Sequence, residues 1–219
     1  KVYVSWFKYT ETHCAIADAI QSVGGLLAIY QRAYESHPSA ETAAIADLEF
    51  VFSPLAAELE RRSRSQLRYV VTTGYLGDHR FALLRGEASR IRRELQAHGA
   101  RAILSFADEN SGDDERWHTG HGVEREHYAF LLERLLNEPW LGLALKPKVP
   151  STLRRRLGPV AELLKRAEAT GRCVVLELDQ GHGHGSCPPA AAALASDVMI
   201  QGHLNAGTAG MDAALAGVP

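Results

Sequence analysis

The sequence predicts an α/β protein built from two Rossmann-like halves, each with a parallel sheet, and three observations support this. Strand-like apolar runs alternate with helix-like segments along the chain. The strand-like runs are continuously apolar, as expected for parallel strands that helices cover on both faces. The alternation is interrupted once, by the loop at residues 73–79 and a long charged helix, and then restarts.

The N-terminal half, residues 1–79, is predicted to be a partial Rossmann-like half. Its strands are predicted at residues 2–7, 26–30, 49–52 and 67–72, with a short segment at 40–47. A helix at 12–23 carries an apolar face of Ile16, Ala19, Ile20 and Val23 and is followed by glycine. A second helix at 54–62 has Pro54 in its first turn, where proline is well tolerated.

The C-terminal half, residues 80–219, is predicted to be the more complete one. It opens with a charged helix at 81–98 that Gly99 closes. Strands are predicted at residues 101–107, 141–145, 173–178 and 197–200. Helices are predicted at 124–136, 159–169, 189–195 and 207–216, the first with a face of Tyr128, Leu131, Leu132 and Leu135.

Composition excludes several classes of protein. The formal net charge of the 219 residues is -2, so no overall field attracts nucleic acid. No apolar run approaches the roughly 18 residues that a membrane-spanning helix needs. The three cysteines, Cys14, Cys173 and Cys187, are scattered, which fits a reducing cytoplasm. The start on a strand at Lys1 and the end at Pro219 suggest a fragment of a longer chain.

Polar residues collect directly after the strands of the second half. In open parallel sheets ligands bind outside the carboxyl ends of the strands, so these residues are the candidate site. They are Asp108, Glu109, Asn110, Ser111, Lys146, Lys148, His203, Asn205, Gly207 and Thr208. Residues 207–210 open a helix whose amide groups and positive dipole end suit a phosphate. Thr208 can cap this helix or donate to the phosphate, and Asp212 can accept from ribose hydroxyls one turn later.

Two segments carry a resemblance to a known family. Residues 196–200 (SDVMI), the following loop and residues 212–219 (DAALAGVP) are similar to the last donor-binding segment of GT-B fold glycosyltransferases. Residues 146–148 (KPK) resemble a segment of enzymes that build bacterial surface polysaccharides, including transferases of Kdo and sialic acid type. The resemblance covers about residues 100–219 well. Asp212 stands where the family usually has a ribose-binding glutamate.

The resemblance implies a GT-B-like fold and a cytoplasmic enzyme that moves a sugar from a nucleotide-sugar donor to a glycan acceptor. It implies no metal or other cofactor, no nucleic acid and no transmembrane segment, and it is compatible with peripheral association with a membrane. Lys146, Lys148 and the amides of residues 207–210 would stabilise the leaving phosphate. The acceptor needs a base or the donor a nucleophile, and Glu35, Asp108, Glu109 and His118 all remain candidates. Arg154, Arg155 and Arg156 are expected to be mostly a solvated surface run.

Two other functions remain open. One is a metal-dependent hydrolase that would use His182, His184 and Cys187, with His118, His121 and His127, because imidazole and thiolate are good zinc ligands, although the spacing fits no standard zinc finger. A non-catalytic nucleotide-binding module is the other alternative. A dehydrogenase is disfavoured, since no G-x-G-x-x-G follows the first strand of either half.

Overall fold

A computed structural model describes residues 1–8, 10–33, 35, 37–116, 119–177, 187–202 and 207–219. The chain divides into two compact units, Lys1–Gly77 and Asp78–Pro219. Within the described residues, each unit holds one four-stranded parallel sheet. The predicted α/β class with two Rossmann-like halves is therefore confirmed. None of the helices in these ranges is both long and apolar enough to cross a membrane.

The first unit is a simple alternation of strands and helices. Its elements are β1 (Val2–Ser5), α1 (Glu11–Ser22), β2 (Leu26–Tyr30), a 3-10 turn (Ala40–Thr42), β3 (Ile45–Val51), α2 (Pro54–Arg62) and β4 (Gln66–Thr72). The strands lie in the order β1-β2-β3-β4. Helix α2 begins where the sequence indicated, because the Ser53 hydroxyl accepts from the Ala56 amide at 3.2 Å and Pro54 occupies the first helical position.

The small core of the first unit lies between its sheet and α1. Leu27 and Ile29 of β2 are buried and pack with Ile16 and Ile20, which confirms that part of the predicted apolar face. Val23, predicted on the same face, follows the last helical residue and is exposed. Strand β3 begins four residues before the predicted start at residue 49. The sequence pattern did not predict this extension because the polar Asp47 interrupts the apolar run. In the structure, the Asp47 carboxylate accepts a hydrogen bond from the Leu27 amide at 2.9 Å.

The second unit has more layers. Its elements are α3 (His79–Ala97), β5 (Ala102–Ala107), α4 (His121–Asn137), β6 (Leu141–Lys146), a 3-10 turn (Pro150–Thr152), α5 (Leu153–Leu157), α6 (Val160–Glu168), β7 (Cys173–Val175), α7 (Pro189–Ala195), β8 (Val198–Gln201) and α8 (Thr208–Leu215). The strand order is β7-β6-β5-β8. The winding direction therefore reverses between β5 and β8, which makes this pair the topological switch point of the sheet.

Two apolar clusters cover the two faces of the second sheet, since alternate strand residues point to opposite faces. Leu143 of β6 packs with Tyr128 and Leu132 of α4, and this cluster includes the predicted face of that helix. Ile103 of β5 packs in the other cluster with α3 and with the alanine run of α7. All four alanines at 190–193 are buried, because their small side chains let α7 lie close to both α3 and the sheet.

Candidate functional site

Asp108, the first residue after β5, joins four elements at the carboxyl edge of the second sheet. Its Oδ2 accepts from the Tyr128 hydroxyl of α4 at 3.1 Å and from Arg156 Nη2 of α5 at 2.9 Å. Its Oδ1 accepts from the Lys148 backbone amide, in the loop after β6. Both carboxylate oxygens are thus engaged inside the protein. Among the predicted catalytic candidates, Asp108 therefore acts in this structure as the residue that holds the loops together.

Arg156 is the buried cation of this network. Besides Asp108, its guanidinium donates to Thr152 Oγ1 and to Ser111 Oγ, both at 3.1 Å. The expectation of a solvated arginine run is therefore wrong for Arg156, which is only 4% exposed. Consecutive helical residues point about 100° apart. Arg154 accordingly turns outward to pair with Glu168 at 2.9 Å, while Arg155 is exposed.

A polar chain runs from Arg156 to the protein surface. Ser111 Oγ lies 2.8 Å from His121 Nδ1, and His121 Nε2 lies 2.8 Å from Asp113 Oδ1. Since Arg156 donates to the serine oxygen, the hydroxyl hydrogen of Ser111 can be donated to His121. The helix predicted at 124–136 did not include His121, whereas His121 is the first residue of α4. The signal for this earlier start was Gly120, which occupies the N-cap position.

Glu124 lies beside Asp108 and was missed by the sequence analysis. It is buried, and its Oε1 has no hydrogen-bond partner among the described residues. Burial, together with the negative charge of Asp108, raises the pKa of Glu124 to about 8, although Arg156 acts in the opposite direction. The surroundings therefore favour the protonated form of Glu124. The available signal was its position four residues before Tyr128, which puts a carboxyl on the buried face of α4.

The two predicted lysines after β6 have different surroundings. Lys146 is buried, and this burial lowers the pKa of its ammonium group, while the charges of Asp108, Cys187 and Asp212 act against that shift. Lys146 is therefore close enough to interact electrostatically with groups from three segments: the loop after β5, the residues just before α7, and α8. Lys148 is half-exposed and forms an ion pair with Glu109, so the structure brings two predicted site residues together.

Other predicted donor-binding residues are placed as follows. The amide oxygen of Asn110 accepts from the Thr152 hydroxyl at 3.2 Å. Gly207 is the N-cap of α8, so Thr208 is not the cap but the first helical residue. The Gly210 amide donates to Gln201 Oε1 at 2.7 Å, which engages one of the amides predicted for phosphate. Asp212 is buried on α8. The predicted residues His118, His203 and Asn205 lie outside the described residues.

The first unit has its own charged cluster, which includes Glu35. The buried ammonium of Lys8 lies 3.3 Å from Glu35 and 3.8 Å from Glu49, and it also contacts Glu60. Burial lowers the pKa of Lys8, but the three carboxylates outweigh it and the net shift is upward. Burial raises the pKa of Glu49 to about 7, against the effect of Lys8. The Ser65 hydroxyl donates to Glu60 at 2.6 Å. The sequence pointed only to Glu35, because the other members come from separate elements.

The residues of the metal alternative are only partly described. Cys187 is buried, and burial raises the pKa of its thiol. His121 belongs to the polar chain with Ser111 and Asp113, and His127 packs edge-on against the Phe106 ring. Within the ranges that the structure describes, no three His, Cys, Asp or Glu side chains are grouped to hold a metal ion. His182 and His184 lie outside those ranges.

No protein-family model matches the sequence, and no curated protein matches it. The fold, the switch point and the charged side chains around it are therefore the observations on which a functional proposal depends.

Proposed function

We propose that this protein is a glycosyltransferase that uses a nucleotide-activated sugar, acting in the assembly of a cell-surface polysaccharide. The observation that carries the proposal is Lys146, a buried ammonium group at the carboxyl end of β6. Strand β6 is next to β5, where the winding of the sheet reverses. At such a point the connections leave in opposite directions, and the crevice between them is the usual ligand site of open α/β sheets.

The proposed donor site needs a positive charge that is already in place. Transfer of a sugar breaks the bond between its anomeric carbon and a phosphate oxygen, and negative charge develops on the departing nucleotide. Lys146, held in a low-dielectric environment, would stabilise that charge more strongly than a solvated lysine would. We propose that Lys148 and the amino end of α8 add to this effect. Asp212, whose charge acts on Lys146, is the proposed acceptor for ribose hydroxyls.

The acceptor hydroxyl must lose its proton as its oxygen attacks the anomeric carbon. Asp108 is engaged by Tyr128, Arg156 and Lys148, so we assign it to positioning. Glu35 and Glu109 have side chains that are 15% and 22% exposed, and each forms an ion pair with a lysine. Together with His118, they remain the proposed candidates for the base. A glycan acceptor, the cytoplasmic location and peripheral membrane association rest on the resemblance alone.

The proposal is tested by calorimetric titration of the purified chain with CMP, UMP, UDP, GDP and ADP, with and without EDTA. We expect one nucleotide to bind in an EDTA-insensitive manner, and Lys146→Ala and Asp212→Asn to abolish or strongly weaken the binding. Lys165→Ala is the matched control, because Lys165 is exposed on α6. Binding that Lys146→Ala leaves unchanged would contradict the proposed site.

Two further results would favour the alternatives. A folded chain that binds no nucleotide but contains about one equivalent of zinc would contradict the transferase and favour a metal-dependent hydrolase. A chain that binds a nucleotide but neither transfers nor hydrolyses the matching nucleotide sugars would favour a non-catalytic binding module. Metal analysis and a donor-turnover assay distinguish the two.

A further inference from the structure

A polar pocket is lined by residues of the loop that follows β5. Its volume is about 520 Å³, and its walls come from the loop after β5, the start of α4 and the segment from the 3-10 turn to α5. The residues that line it include neither Lys146, Lys148 nor Asp212. The lining shares Asn110 and Ser111 with the residues predicted for the donor, but its basic side chains are a different set.

Four basic side chains converge on this pocket: His121 and Arg125 from one face of α4, and Arg155 and Arg156 from α5. Against them, the lining contains one acidic side chain, Asp113, which contacts His121. Arg125 donates through Nε to the backbone oxygen of Arg156 at 2.9 Å. Within the described part of the chain, neither Arg125 nor Arg155 forms an ion pair with a carboxylate. Their charges are available to a ligand.

Arg156 gives the pocket a guanidinium group whose orientation is fixed before any ligand binds. Its three bonds to Thr152, Ser111 and Asp108 fix the plane of the guanidinium. They use three of the five N–H hydrogens that an arginine carries, and the other two have no partner among the described residues. A buried guanidinium with a fixed plane and unused donors loses little conformational entropy when an oxyanion binds.

The start of α4 is not the source of this affinity. The Gly122 amide already donates to both carboxylate oxygens of Glu115, each at 3.0 Å. An incoming anion would therefore be held by the arginine side chains and by the Ser111–His121 pair. Arg156 is already paired with Asp108, so Arg125 and Arg155 supply the positive charges that are unpaired within the described residues of the pocket, and together they exceed the charge of a single carboxylate. They match a phosphomonoester, which carries a charge of about -1.5 to -2 and three acceptor oxygens.

We infer that this pocket binds a phosphoryl group, through Arg125, Arg155 and Arg156 together with Ser111. The shared chemistry is a terminal phosphate, which a sugar phosphate or a nucleotide can supply. The inference does not require the proposed transferase activity, since Arg125, Arg155 and Arg156 are not among the residues proposed for the donor.

The test is calorimetric titration of the full chain with glucose 1-phosphate, and in parallel with UDP and with glucuronate. We expect saturable binding of glucose 1-phosphate that Arg155→Ala weakens by about tenfold to a hundredfold, the range for loss of a charge-assisted contact. Arg155→Lys should restore part of the affinity, because it keeps the charge but not the two-pronged geometry. Arg166→Ala is the control, since Arg166 is an exposed arginine on α6. Arg155 itself is exposed, so its replacement leaves the fold intact.

Each outcome of these titrations either supports or overturns the inferred phosphoryl-binding pocket. If UDP competes with glucose 1-phosphate, and Arg155→Ala abolishes this competition, the inference is supported and a nucleotide is the source of the phosphate. Glucose 1-phosphate binding without UDP competition supports it with a sugar phosphate as the source. The inference is overturned if glucose 1-phosphate does not bind, if Arg155→Ala binds it as tightly as the wild type, or if glucuronate binds equally well. Loss of nucleotide binding in Lys146→Ala alone bears on the proposed donor site and leaves this pocket unaffected.

Discussion

Replacement of Arg156 by alanine should destabilise the second unit far more than replacement of Arg154, two residues earlier. The Arg156–Asp108 pair lies at 2.9 Å with side chains that are 3% and 0% exposed. Removing the guanidinium leaves a buried carboxylate without its cation and takes away three hydrogen bonds. A broken buried ion pair costs about 3–5 kcal/mol in the free energy of unfolding. The Arg154–Glu168 pair is largely solvated, and such pairs contribute about 0–1 kcal/mol.

Urea unfolding followed by circular dichroism measures the difference. With a slope of about 2 kcal/mol per molar, the midpoint should fall by about 1.5–2.5 M in Arg156→Ala and by less than about 0.5 M in Arg154→Ala. Hydrogen exchange in β5 and α4 assigns the loss to the second unit. The added substitution Asp108→Asn should restore part of the stability, since it removes the uncompensated charge. Equal midpoints for the two arginine variants would refute this account of the buried pair.

Three further substitutions test other parts of the structure, each by urea unfolding. The pKa of Glu124 is raised to about 8 in the folded state, so the free energy of unfolding should fall as pH rises from about 4.5 to about 8. Glu124→Gln should therefore be more stable than the wild type at pH 8 but not at pH 5. The control Glu126→Gln, at an exposed position of the same helix, should show no such difference. Lys8→Ala should cost about 3–5 kcal/mol at pH 8, because it leaves buried carboxylates without their cation. The cost should be smaller at pH 5.5, because burial raises the pKa of Glu49 to about 7; a loss that does not change with pH would contradict this. Leu143→Ala should lower the free energy of unfolding by about 2–5 kcal/mol, because the Leu143 side chain is fully buried. Leu215 is half-exposed, and an equal loss of stability in Leu215→Ala would argue against the described core.

Much of the candidate site could be located from the sequence, because its residues directly follow strands. Asp108 and Lys146 needed only the position of β5 and β6 and the rule that ligands bind at the carboxyl edge. The start of α4 was harder to predict, since residues 121–123 lack the apolar spacing of the rest of that helix. This shift moved His121 from a loop to a helix end. The spacing from Tyr128 puts Glu124 on the buried face of α4, but it does not show that Asp108 and Arg156 lie beside it.

The two parallel sheets could be predicted from the sequence, because alternating apolar runs and helix-end glycines are local signals. Which charged groups meet depends on the tertiary structure. Asp108 bonds to residues that lie 20, 40 and 48 positions away along the chain. Among three consecutive arginines, the rotation of α5 against α4 buries Arg156 and leaves Arg155 at the pocket. Such contacts depend on how separate elements pack, and no local pattern of residues encodes that packing.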